Sequence, residues 1–172
     1  MNWKGHAGLS LLISSLLMIP FGLKGIALGF IIITVLFSSL PDSDLVTPLE
    51  HRSLTHNVGF GLIFAAVIGS IIGYLAVIYV EMITGILVGI MIMLAIAGGV
   101  FSHLLGDIIA GWRYDSTPWK INPLLPFSSK SIGYGIFMAT DEKVNYLFLK
   151  VGILTFLFYI SFGIFRIYSG LH

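Results

Sequence analysis

Apolar residues run through this chain in five long blocks, separated by short polar stretches. A helix needs roughly 20 apolar residues to cross about 30 Å of hydrocarbon. The first block runs from His6 to about Leu23, with Pro20 near its end, and the second from Gly25 to Leu40. The second stops at Pro41, whose ring and missing N–H end a helix. The third runs from Asn57 to Val80, the fourth from Met82 to about Ala110, and the fifth from about Val144 to Ile167. This pattern predicts an all-α, polytopic membrane helical bundle of about five transmembrane helices, one domain over residues 1–172 without internal repeats. The first two blocks are short, so four spans plus a re-entrant pair is the alternative. Gly98-Gly99 marks a bend or a point of close packing in the fourth block.

Between the fourth and fifth blocks, Gly111 to Lys143 is the one long stretch without a helical pattern. It holds Trp112, Trp119 and three prolines. Loops longer than about 12–15 residues with no structure of their own tend to be functional, and its aromatics suit the headgroup level. The stretch is expected to cover a site; an ordinary amphipathic surface loop is the alternative.

Composition narrows the class. The chain is 57% hydrophobic and 10% charged, with a mean hydropathy of +1.00, where a soluble domain carries about 25% charged residues. The surplus apolar surface must face lipid. A net charge of +1 argues against nucleic acid as a partner, which needs a concentrated basic patch. There is no cysteine, so any metal must be held by His, Asp or Glu. No small-residue cleavage site follows the N-terminal Met-Asn-Trp-Lys-Gly-His cleanly, and this segment is read as part of the mature protein.

With five spans, the N-terminus, the loop around Pro41–His56 and the loop around Gly111–Lys143 share one side. That side carries Lys4, Arg52, Arg113, Lys120, Lys130 and Lys143; the other carries Lys24 and Arg166. The bias places the first side in the cytoplasm. The same parity brings His6, Asp42, Asp44, His51, His56, His103 and Asp107 to one membrane face.

Those residues carry the chemistry. His103 and Asp107, four apart on a helix, share one face and can both ligate one cation. Ionisable groups inside a span are costly and usually functional. His56 starts the third block, and His51 precedes it by about a turn. Asp42 and Asp44, two apart, point into one region if the backbone there is extended. A nitrogen and oxygen donor set suits zinc first, with manganese, iron or magnesium as alternatives. Ordinary readings stand beside these. His6 can be a helix-start residue, Asp42 and Asp44 turn formers, His51 a surface histidine, and Arg52 a topology signal. Ser53 or Thr55 can cap the third helix, and Glu50, Glu81 and His172 read as solvated.

Pro41-Asp-x-Asp44, His51-Arg-Ser-Leu-Thr-His56, His103-Leu-Leu-Gly-Asp107 and Pro123-Leu-Leu-Pro-Phe127 together resemble the YdjM-like family of inner-membrane, LexA-binding metal-dependent hydrolases. The order of motifs is more distantly similar to the zinc-dependent phospholipase C and nuclease superfamily. That resemblance implies one metal held by Asp42 or Asp44, His56, His103 and Asp107, and a second sharing Asp107 and using His6. The superfamily's later histidine motifs have no counterpart here, since no histidine follows Asp107 before His172.

The resulting expectation is a membrane-embedded hydrolase of the inner membrane, with one or two divalent ions. Its substrate would be a lipid or lipid-linked phosphoester at the cytoplasmic face. Asp42 and Asp44 would serve catalysis, and Arg52, with Lys130, would hold phosphate as a set of donors suited to its oxygens. An ion- or proton-coupled transporter and a non-catalytic membrane scaffold are the rivals.

Overall fold

The computed structural model describes residues 1–46, 55–112, 120–124 and 128–170. Five α-helices dominate: α1 (Trp3–Met18), α2 (Gly25–Phe37), α3 (Val58–Tyr79), α4 (Met82–Ile109) and α5 (Glu142–Ser169). With their short 3-10 extensions, all five are long and apolar enough to cross a membrane. Residues such as Ile63 (69%), Leu154 (65%) and Tyr79 (81%) are widely exposed, as lipid-facing side chains are. The expected bundle is therefore the observed one.

The helix ends follow from local chemistry. Asn2 caps α1, its side chain accepting from Lys4 N and Gly5 N. Asp141 caps α5 in the same way, accepting from Lys143 N and Val144 N. Neither Ser53 nor Thr55 can be credited with capping α3. Asn57 is its N-cap, accepting from Phe60 N at 2.7 Å. Ser53 lies outside the described residues, and the Thr55 hydroxyl instead lies 3.1 Å from His56 Nδ1. Glu81, exposed as expected, also caps α4 through Thr84 N.

Packing depends on close backbone approach, the usual route to helix association in lipid. A Cβ on Gly8 would stand 2.4 Å from the Phe148 and Leu149 backbone, and one on Gly152 2.3 Å from Gly8 O. This locks α1 against α5. The pair Gly98-Gly99 is a packing point rather than a bend: α4 runs unbroken through it, and a Cβ on Gly99 would stand 2.5 Å from Thr34 O of α2.

The stretch after α4 has more structure than the sequence suggests. Ala110–Trp112 (β1) pairs in parallel with Phe137–Met138 (β2), and Ile121 bridges Ile132. Tyr134 N and Ile136 N donate to Ile108 O and Ile109 O, carbonyls that a helix end would otherwise leave unpaired. Pro123 O accepts from Val58 N at 2.8 Å, tying the same stretch to the start of α3.

Helix length sets the depth of the site. α2 has 13 helical residues, about 20 Å at 1.5 Å per residue, whereas α4 has 28. Because α2 stops early, the 3-10 turn Pro41–Val46 lies level with the last two turns of α4, beside His103 and Asp107.

Candidate functional site

One end of the bundle collects the polar groups. His6 comes from the first turns of α1, Asp42 from the turn after α2, His56 from the approach to α3, and His103 and Asp107 from the end of α4. His6, His56, His103 and Asp107 are all at most 1% exposed, and Asp42 is half-buried. Five of the seven residues that span parity assigns to one face are thus found together at one end of the bundle.

His103 is the hub. Its Nδ1 lies 2.6 Å from the Ser38 carbonyl oxygen, so Nδ1 carries the proton and donates. In the neutral ring, Nε2 then presents a bare lone pair. That nitrogen lies 3.3 Å from His56 Nε2, 3.4 Å from Asp107 Oδ2 and 3.6 Å from Asp42 Oδ1. His56 Nε2 is 3.4 Å from Asp42 Oδ1 and 3.5 Å from Asp107 Oδ2. Four candidate ligand atoms from three segments thus approach within 3.3–3.6 Å at every separation that involves an imidazole. A tetrahedral cation with ligands at 2.0–2.1 Å spaces them about 3.3 Å apart. Two trios meet the looser condition of ligand atoms within 4.8 Å of one another: His6, Asp42 and His103, and His56, His103 and Asp107.

His6 stacks on His103 with ring centroids 3.7 Å apart and planes at 8°. Its Nε2 lies 3.1 Å from Met1 O and 3.4 Å from Asp107 Oδ1. Its Nδ1 is buried with no hydrogen-bond partner among the described residues, and a Cβ on Gly106 would stand 3.0 Å from it. The tautomer with the proton on Nε2 therefore uses both oxygens. The Met1 amino group completes the surroundings of Asp107, 2.7 Å from Oδ1.

Two expectations need correction. His6 is no interfacial helix-start residue; it is buried within the cluster. Asp42 and Asp44 do not sit in an extended backbone either. Pro41–Val46 is 3-10 helical, and at three residues per turn positions two apart point about 120° away from each other around the axis. Asp42 enters the cluster, while the Asp44 side chain lies outside what the structure describes. His51 and Arg52 also lie outside the described residues, as do Glu50 and His172. Lys130 is exposed, and among the described residues no contact joins it to the cluster.

Sequence reasoning missed three supports. The Ser38 carbonyl leaves no mark in residue type, since any residue has one. Asn145 is fully buried; its Oδ1 accepts from Asn2 N at 3.1 Å, and its Nδ2 donates to Ala139 O and Asp141 O. A lone amide at the head of an apolar block was a readable signal. The Thr55 hydroxyl at His56 Nδ1 sits where groups that orient a ligating imidazole are found.

Fold and site define a class: a polytopic helical membrane protein with imidazoles and carboxylates buried together beneath one end of the bundle. The chain belongs to the YdjM inner membrane protein family, which it matches over residues 1–170. No curated protein and no solved structure matches it.

Proposed function

We propose that this chain is a membrane-embedded, metal-dependent hydrolase acting on a lipid or lipid-linked phosphoester. The observation that carries the reading is the bare Nε2 of His103, fixed by Ser38 and aimed at a second imidazole nitrogen and two carboxylates. That lone pair faces two carboxylates in a buried site, where charges are costly unless paired; the Met1 ammonium pairs with Asp107 Oδ1, and a divalent ion would engage the oxygens that face the imidazoles. His56, His103 and Asp107 would hold the ion, zinc first by donor type, which leaves a position for water with Asp42 beside it. His103 offers one free nitrogen, so one ion is favoured over two. His6 then supports Asp107 instead of binding a second ion.

A divalent ion there supplies Lewis acidity, polarising a phosphoryl oxygen and making water acidic near neutral pH. Half-buried Asp42 is the carboxylate best placed to take a proton at the rim, with Asp44 following it in the turn. Arg52 and Lys130 are assigned to the phosphate on residue type, as cationic donors suited to its oxygens. Nucleic acid is not expected as a partner.

A transporter would spread ionisable groups through the membrane depth; here the buried His and Asp side chains gather at one end. A scaffold has no need of His103 and Asp107 inside a span. The test is elemental analysis of purified protein washed free of loose metal, beside release of phosphate or headgroup from phospholipid and polyprenyl-phosphate substrates. About one tightly held ion per chain with metal-dependent turnover is expected. Metal-free protein that gains no activity on adding zinc, manganese or magnesium overturns the reading.

The charge asymmetry further assigns the site end to the cytoplasm. The native chain has no cysteine, so single cysteines report alone. In intact cells an impermeant thiol reagent should label Lys24→Cys and leave Ser53→Cys and Ser128→Cys untouched. The opposite pattern reverses the orientation.

A further inference from the structure

A second polar feature lies outside the cluster, on the outer surface of α5. Lys143, Tyr146, Leu147 and Lys150, with Glu142, line an open groove of about 490 Å³. Glu142 is already engaged, 3.2 Å from Lys4 Nζ. Among the described residues neither the Lys143 nor the Lys150 ammonium has a carboxylate within ion-pair distance. Lys4 Nζ also donates to Tyr146 Oη at 2.9 Å and lies 4.1 Å from the centre of its ring. The phenol is thus held in place as an acceptor, and its own O–H remains available to donate outward.

Depth makes Lys150 informative. α5 has 28 residues, about 42 Å at 1.5 Å per residue, against about 30 Å of hydrocarbon. If the excess is shared between the ends, about 6 Å stands clear at each. Lys150 lies eight residues into the helix, about 12 Å, so its backbone sits about 6 Å inside the hydrocarbon boundary. A lysine chain spans that distance, and helical side chains lean toward the helix N-terminus, which here is the site end. Lys143, seven residues earlier, lies on nearly the same face. Two ammonium groups and a phenol hydroxyl therefore meet at headgroup level around one groove.

We propose that this groove binds the phosphate of an anionic phospholipid in the leaflet on the site side, held by Lys143, Lys150 and the Tyr146 hydroxyl. Leu147, between them and 58% exposed, meets the start of the acyl chains. A phosphate offers the acceptor oxygens these donors lack and gives Lys150 the counter-charge that a lipid-exposed position denies it. The inference is independent of whether the cluster hydrolyses anything.

The test uses the full chain in nanodiscs of phosphatidylcholine mixed with phosphatidylglycerol, with native mass spectrometry counting the lipids retained. The wild-type chain should retain phosphatidylglycerol in preference. Each basic residue near a membrane surface is worth about fivefold in attraction to anionic lipid, so Lys143→Gln with Lys150→Gln should cut the preference about thirtyfold. Lys24→Gln, at the other end of the bundle, should leave it unchanged. Millimolar inorganic phosphate should not displace the lipid. Equal retention of both lipids by the wild type, no change in the double variant, or an equal loss in Lys24→Gln overturns the proposal. Displacement by free phosphate overturns its assignment to a lipid.

Discussion

The Asp107→Asn protein should fold, insert and lose its metal. Asp107 Oδ2 lies 3.4 Å from His103 Nε2 and 3.5 Å from His56 Nε2, so the substitution replaces an anionic ligand with a neutral amide at the centre of the cluster. Loss of a group that merely orients a ligand costs about 10–100-fold in metal affinity; loss of a ligand's charge should cost at least the upper end of that range. Hydrolysis should fall to background. Stability should fall as well, because the neutral amide leaves the Met1 ammonium, 2.7 Å from Oδ1, buried without its counter-charge. His103→Ala and His56→Ala should also lose the ion. Arg52→Ala should keep it and raise KM for a phosphoester. The measurement is metal stoichiometry and phosphoesterase rate on each detergent-purified variant. Full occupancy in both Asp107→Asn and His103→Ala removes the site as drawn.

Much of the architecture was legible because lipid makes the code simple. A membrane admits only long apolar helices in a chain of this composition, and the polar residues left inside them stand out. His103 and Asp107 were visible for that reason, four apart in an otherwise apolar run. Parity alone then brought His6, Asp42 and His56 to the same end. What remained hidden was carried by backbone. The Ser38 carbonyl that fixes the tautomer of His103, the 3-10 turn that separates Asp42 from Asp44, and the strand pair closing over the end of α4 depend on where α2 and α4 stop. Stopping points are decided by tertiary contacts as much as by residue type. The small residues on α4 show the same limit. Gly98 and Gly99 are indistinguishable in sequence, yet only one of them touches α2 closely.

That difference gives a test of how the site is built, at positions that ligate nothing. A Cβ on Gly99 would stand 2.5 Å from Thr34 O, 2.9 Å from Phe37 C and 3.0 Å from Ser38 N. All three are backbone atoms of α2 or its cap and cannot rotate away, so the end of α2 must move. With it moves the Ser38 carbonyl, 2.6 Å from His103 Nδ1. The imidazole then loses the partner that keeps its proton on the far nitrogen. Gly99→Ala should therefore weaken metal binding about 10–100-fold and cost about 1–3 kcal/mol through overpacking. Gly98→Ala is the matched control. Its Cβ would meet Thr34 Cγ2 at 3.8 Å and Oγ1 at 3.9 Å, ordinary contact distances, and alanine is the better helix former by about 1 kcal/mol. It should bind metal as the wild type does and melt no lower. Metal titration and thermal melting of the two variants in one detergent decide the matter. If Gly99→Ala melts lower yet binds metal with unchanged affinity, the close approach of α2 to α4 holds the fold but does not orient His103. If both variants lose metal alike, the effect belongs to α4 itself and not to its contact with α2.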